Sequence, residues 1–148
     1  MKRAIRPPTK LEQAYQDAAR ELGCVVCRWR HENGMPLKNG QCGPTHIHHR
    51  NIGDKDGQRQ IGQHAVVALG SWHHDGVPPM FWSDDEAREV FGPSFKFARD
   101  FRVWTMDVLP EILGWGTEVW QVVQDKMLIE RGYGDLVDAI RAIEREAA

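Results

Sequence analysis

At 148 residues, with 41% of them hydrophobic, the chain has the length of one domain and a globular composition, which excludes a largely disordered polymer. It contains no unbroken apolar stretch of the roughly eighteen residues a transmembrane helix needs. The net charge of -2 conceals an asymmetry: residues 1–64 carry 11 Lys/Arg against 6 Asp/Glu, and residues 65–148 carry 8 against 15. A basic half suits a polyanion such as DNA, although charge spread over two solvated surfaces reads the same way.

In chain order, the basic opening Met1-Lys2-Arg3 leads into no apolar core of a secretory signal, so the expected location is the cytoplasm. In that reducing setting three cysteines point to metal rather than to a disulfide. Thr9-Lys10-Leu11-Glu12 has the form of a capping box. Leu11, Tyr15, Ala18 and Leu22 follow at helical spacing and Gly23 supplies the stop, so a helix is expected over about 10–22. From Cys24 to Asp75 the composition turns to Gly, Asn, Pro and His. Two short strands are expected there, at Thr45–His49 and at 65–69, joined by the Gly-rich stretch 53–62. The second half reads as helical. Ser83 and Glu86 form another capping box, Ser94, Thr117 and Asp135 are candidate caps of three further helices, and the tryptophans read as core.

All seven histidines and all three cysteines lie between positions 24 and 74. Cys24-Val25-Val26-Cys27 is a CxxC knuckle, two thiolates on one turn able to grip a tetrahedral Zn2+. Redox CxxC pairs usually open a helix after a strand; this one follows a helix and precedes a charged, Gly-containing segment. Two more ligands are needed. Cys42 and His73 are the choice, with His31 as the rival fourth ligand. The second constellation is Thr45-His46-Ile47-His48-His49-Arg50, then His64, then Trp72-His73-His74-Asp75-Gly76. Adjacent His48 and His49 on a strand point to opposite faces, so one can ligate a cation while the other handles a water. A second structural metal, or solvated loop histidines, would use the same residues.

The order of CxxC, Ile-His-His, a Gly-rich loop with a later His, an apolar strand and a closing His-His resembles the HNH (His-Me finger) nuclease superfamily. Within it, the likeness is to the phage Ref family of RecA-dependent nucleases, and it covers about residues 24–76. The resemblance implies an α+β fold: a zinc-stabilised ββα-metal core at 24–80, preceded by a basic arm and helix at 1–23 and followed by a helical extension at 81–148. It implies a metal-dependent DNA endonuclease in a phage- or prophage-bearing bacterial host, targeted by a RecA-type recombinase filament. By position, His48 and His74 take the places of ligands to a catalytic Mg2+ or another divalent cation. His49 takes that of the general base, His64 that of the middle residue which orients the base or helps bind the site, and His73 goes to the structural zinc with Cys24, Cys27 and Cys42. The family's cysteine after the apolar strand is Gly70 here, a loss that Cys42 could make good. His46 is an extra ligand or nothing, and Asp54, Asp56 and Asp75 are the carboxylates at hand. Arg50, Lys55 and Arg59, with the arm at 2–10, are candidate phosphate contacts. No residues suited to reading a base sequence are apparent. The alternative is a non-catalytic zinc module that binds DNA or a protein, which would leave His48, His49, His64 and His74 unemployed.

Overall fold

The computed structural model describes residues 6–35, 41–54 and 59–147. Among them are seven α-helices and one two-stranded antiparallel sheet, a mixed α+β arrangement. Helix α1 (Lys10–Leu22) sits between the signals that bracket it. Thr9 Oγ1 accepts from the Glu12 N–H, the Glu12 carboxylate accepts from the Thr9 N–H, and Gly23 turns the chain at φ +86°. The segment after Gly23 departs from expectation. Cys24 opens a second helix, α2 (Val25–Glu32), because Val25, Val26 and Cys27 are wholly buried and tertiary packing overrides the polar run that follows.

Strand β1 (Thr45–His49) pairs with β2 (Val66–Gly70), with His46 opposite Leu69 and His48 opposite Val67. The chain passes from β2 straight into a single helical turn, α3 (Ser71–Asp75), giving the order strand, strand, helix. Four helices follow: α4 (Asp84–Phe91), α5 (Ala98–Val108), α6 (Gly116–Glu130) and α7 (Gly134–Ala147). The Ser83–Glu86 capping box forms as read. Ser94 and Thr117 do other work. Helix α5 starts only after Phe97, and Ser94 turns its hydroxyl to the His73 carbonyl. Thr117 lies inside α6, where its N–H and hydroxyl both donate to Asp54, so Asp54 caps that helix from outside. Asp135 belongs to the first turn of α7.

Helix α6 is buried on most of its surface and serves as the partner of the hairpin. A two-stranded sheet leaves the outer edge of β2 without backbone partners, and in a buried strand such groups are costly. Gln124 answers this with its side-chain amide, accepting from the Ala68 N–H (2.8 Å) and donating to the Val66 carbonyl (3.0 Å). Gln121 does the same for the His64 carbonyl (3.0 Å). The core runs continuously from Tyr15 through Leu69 and Trp72 to Trp120 and Ile140, and of the later helices α6 packs on β2 while α5 and α7 pack on α6. Trp72 and Trp120 are buried within it, as the reading of the tryptophans expects, while Trp115 is exposed. No helix among the described residues is long and apolar enough to cross a membrane.

Candidate functional site

Two clusters of ligand-type side chains meet at α3. The inner one is assembled from three places. The first turn of α2 supplies Cys24 and Cys27, the segment before β1 supplies Cys42, and α3 supplies His73; all four are buried. His73 Nδ1 lies 3.4, 3.7 and 3.1 Å from the sulfurs of Cys24, Cys27 and Cys42, and the Cys42 and Cys24 sulfurs are 3.9 Å apart. Tetrahedral zinc, with Zn–S of about 2.3 Å and Zn–N of about 2.0–2.1 Å, needs separations of about 3.6–3.8 Å between ligand atoms. The His73 Nε2–H donates to the Phe91 carbonyl at 2.8 Å, which fixes the tautomer and turns the Nδ1 lone pair toward the sulfurs. This Cys3His cluster could therefore hold a metal such as zinc. His31 is exposed at the far end of α2 and is not gathered, so the fourth position falls to His73.

The electrostatics agree with a cationic occupant. Burial disfavours the Cys24 thiolate, yet the neighbouring Cys27, Cys42 and His73 draw its pKa well below the ordinary value. The Cys24 and Cys42 sulfurs push Cys27 the other way. Burial would keep His73 neutral, but the adjoining Cys42 and Cys24 sulfurs hold its pKa up at about 10. Three sulfurs in one dry pocket cannot all ionise against a single imidazolium; a dication removes the conflict. The CxxC does open a helix, the arrangement common in redox pairs, but Cys42 and His73 complete a closed four-ligand set around it. The Gly70 position explains the third sulfur. A Cβ built on Gly70 would lie 2.4 Å from Cys42 Sγ, so the Cys42 side chain fills the space a cysteine at 70 would use.

The outer cluster lies on the other side of α3. His46 and His48 share one face of β1, as alternation requires, and both meet His74, with ring centroids 5.3 and 5.1 Å apart. His46 Nδ1 is 3.1 Å from His74 Nδ1 and 3.6 Å from an Asp75 carboxylate oxygen, which is 3.3 Å from His74 Nδ1. His48 is the most enclosed of the three histidines. Burial, reinforced by His74, His49 and Arg50, pushes its pKa down to about 3, so it is neutral at pH 7. His49 takes the opposite face, where its Nε2 is 2.8 Å from Gln63 Oε1. The Gln63 amide is itself fixed: its Nε2 donates to the Arg6 carbonyl (2.8 Å) and its Oε1 accepts from Gln16 (3.0 Å). The His49 Nε2 must therefore carry the proton, leaving Nδ1 as the basic nitrogen. His48, His49, His74 and Asp75 all line one cleft of about 500 Å³, together with Phe95 and Lys96.

Other expected site residues lie elsewhere. His64 is buried over Gly62 and is not among the residues lining the cleft. Arg50 is buried, with its guanidinium donating to Gln121 on α6, so it braces the hairpin instead of facing a phosphate. Arg59 is exposed; Lys55, Asp56 and the arm at 1–5 lie outside the described residues. Among the described residues of the basic half, Arg6 pairs with Glu12, Arg28 donates to the Leu22 carbonyl and Arg30 to that of Val90, while Lys10 and Arg20 are exposed. Sequence reasoning missed Lys96 and Gln63. Lys96 comes from the loop before α5, far from the histidine cluster, and nothing local marks it. Gln63 stands beside His64, where only its place before a histidine could have drawn notice. Comparison with protein-family models, with characterised proteins and with solved structures found no match to this chain.

Proposed function

We propose that the protein is a metal-dependent DNA endonuclease of the HNH type, hydrolysing phosphodiester bonds in the cleft between β1, α3 and the loop before α5. The observation that carries this reading is the convergence of His49, His48, His74 and Asp75 on one cleft, framed by a strand–strand–helix unit. A binding module would need only the inner Cys3His cluster. The open cleft with its histidines would then have no task.

In this reading His49 is the general base, held by Gln63 so that Nδ1 takes the proton of the attacking water. The water oxygen forms the new bond to phosphorus, the bond to the 3′-oxygen breaks, and the proton finally passes to that leaving oxygen. Lys96, which lines the cleft, would contact the strand's phosphate. His74 and Asp75 would hold a divalent cation, which when bound would supply charge neutralisation at the phosphoryl group and the leaving oxygen. Cys24, Cys27, Cys42 and His73 would hold a zinc that fixes α3, and hence His74, without touching substrate. Targeting by a RecA-type recombinase filament rests on the family resemblance alone.

The test is nicking of supercoiled plasmid by wild type and His49→Ala, with and without added divalent cation and with a recombinase filament in parallel. Wild type should open the circle only when cation is present, and His49→Ala should not. Undiminished nicking by His49→Ala would remove the base from the reading, and no nicking by wild type under any condition would remove the nuclease.

A further inference from the structure

We propose that His46, His74 and Asp75 form a second, solvent-open site for a first-row transition dication, with His48 outside the ligand set. Family position alone would pair His48 with His74. The geometry points to a different trio. The ligand atoms His46 Nδ1, His74 Nδ1 and the Asp75 carboxylate oxygen are mutually 3.1, 3.3 and 3.6 Å apart. Ligands at about 2.1 Å from one cation, at angles between octahedral and tetrahedral, lie about 3.0–3.4 Å from each other. His48 does not join this group of mutually close ligand atoms.

Two further features fit a cation there. Each imidazole Nδ1 faces the other, and a direct contact between them requires one to surrender its lone pair to a proton. A shared cation lets both keep theirs. The three side chains are 40%, 24% and 53% exposed in the order His46, His74, Asp75, so water or a phosphate oxygen can take the remaining coordination positions. This is the reverse of the inner cluster, where all four ligands are sealed. His48, only 6% exposed, packs on His74 and Phe95, and its buried Nε2 has no hydrogen-bond partner.

The donor set also selects the ion. Mg2+ prefers oxygen ligands and gives up water reluctantly, whereas two imidazoles and one carboxylate suit Mn2+, Co2+, Ni2+ or Zn2+. Any part this site takes in hydrolysis rests on the nuclease reading; the binding of the cation does not.

The experiment titrates the full chain, already carrying one zinc in its sulfur site, with Co2+, followed by calorimetry and by visible absorption. One further equivalent should bind, with weak d–d bands and without the near-ultraviolet sulfur-to-cobalt transition that would report displacement of the inner zinc. His46→Ala and Asp75→Asn, both changes at exposed side chains, should each weaken this binding by at least ~10-fold. His48→Gln, checked for folding by its thermal melt, should leave it within about twofold, a difference small against the loss of a direct ligand. Absence of a second equivalent overturns the proposal. So does loss of binding in His48→Gln with His46→Ala and Asp75→Asn unaffected, or displacement of Co2+ by equimolar Mg2+. Cobalt binding without plasmid nicking would leave this site standing and sink the nuclease reading instead.

Discussion

His73 and His74 are neighbours on a helix of one turn, yet they serve environments with opposite physics. His73 points inward to three buried sulfurs, and its second nitrogen is spent on the Phe91 carbonyl. His74 points outward to His46 and Asp75, at the wall of an open cleft. Full coordination and burial make the inner cluster suited to holding the fold, because binding free energy there is folding free energy. Three ligand-type side chains and partial exposure would leave coordination positions at the outer one open to exchange. The lesson is that one short element can tie an open cluster to a sealed one: whatever fixes α3 from inside also aims His74.

The largest expected effect breaks the inner half of this contrast. Structural zinc contributes on the order of 10 kcal/mol, comparable with a whole domain's stability, so Cys24→Ala or removal of zinc by a chelator should leave no cooperative thermal transition near that of the holo protein. A melting temperature unchanged by the chelator would refute the structural role. A sharper version uses the space shared by residues 42 and 70. Cys42→Ala alone should lose zinc, and Cys42→Ala with Gly70→Cys should recover most of it. Failure of the double variant to regain zinc would mean that the two positions are not interchangeable.

The outer half should respond in activity and not in stability. His49→Ala is expected to reduce plasmid nicking roughly 10²–10⁴-fold while the melting temperature stays within a few degrees, since that ring is only half-buried. A large fall in melting temperature would assign His49 to the scaffold.

The smallest effect lies at the Arg6–Glu12 pair, which supplies no ligand to either cluster. The Arg6 guanidinium beside buried Glu12, with the Thr9 cap assisting against the cost of burial, lowers the Glu12 pKa to about 2. A depressed folded-state pKa stabilises above the unfolded value of about 4.5 and is lost as pH falls toward 2. Glu12→Gln, which can keep the capping geometry, should therefore cost about 1–2 kcal/mol at neutral pH and nothing near pH 2. Zinc content should not change. A stability difference that persisted at pH 2 would show that packing, not charge, is responsible.

Much of the skeleton was legible because its signals are local. Thr9 with Glu12 and Ser83 with Glu86 cap the helices they announce, and the alternating histidines of Thr45–His49 are a strand. Helix α2 was not legible, because only the burial of Val25 and Val26 against the rest of the molecule makes a helix of a polar run. The four sulfur and imidazole ligands could be named from spacing, apart from the choice between His31 and His73, which depends on where each helix end lies. Long-range pairings were hidden: Arg50 with Gln121, Asp54 with Thr117 and His49 with Gln63 join residues whose sequence neighbourhoods say nothing of each other. The same is true of Lys96, which only the packing of the loop after α4 brings to the cleft.

The contrast between a sealed and an open cation site is tested most directly by counting metals and assaying the same samples. Protein dialysed against a weak chelator should retain one zinc per chain and lose nicking, and nicking should return saturably as one further dication binds. A single enclosed zinc, with plasmid cleavage indifferent to any added cation, would contradict it.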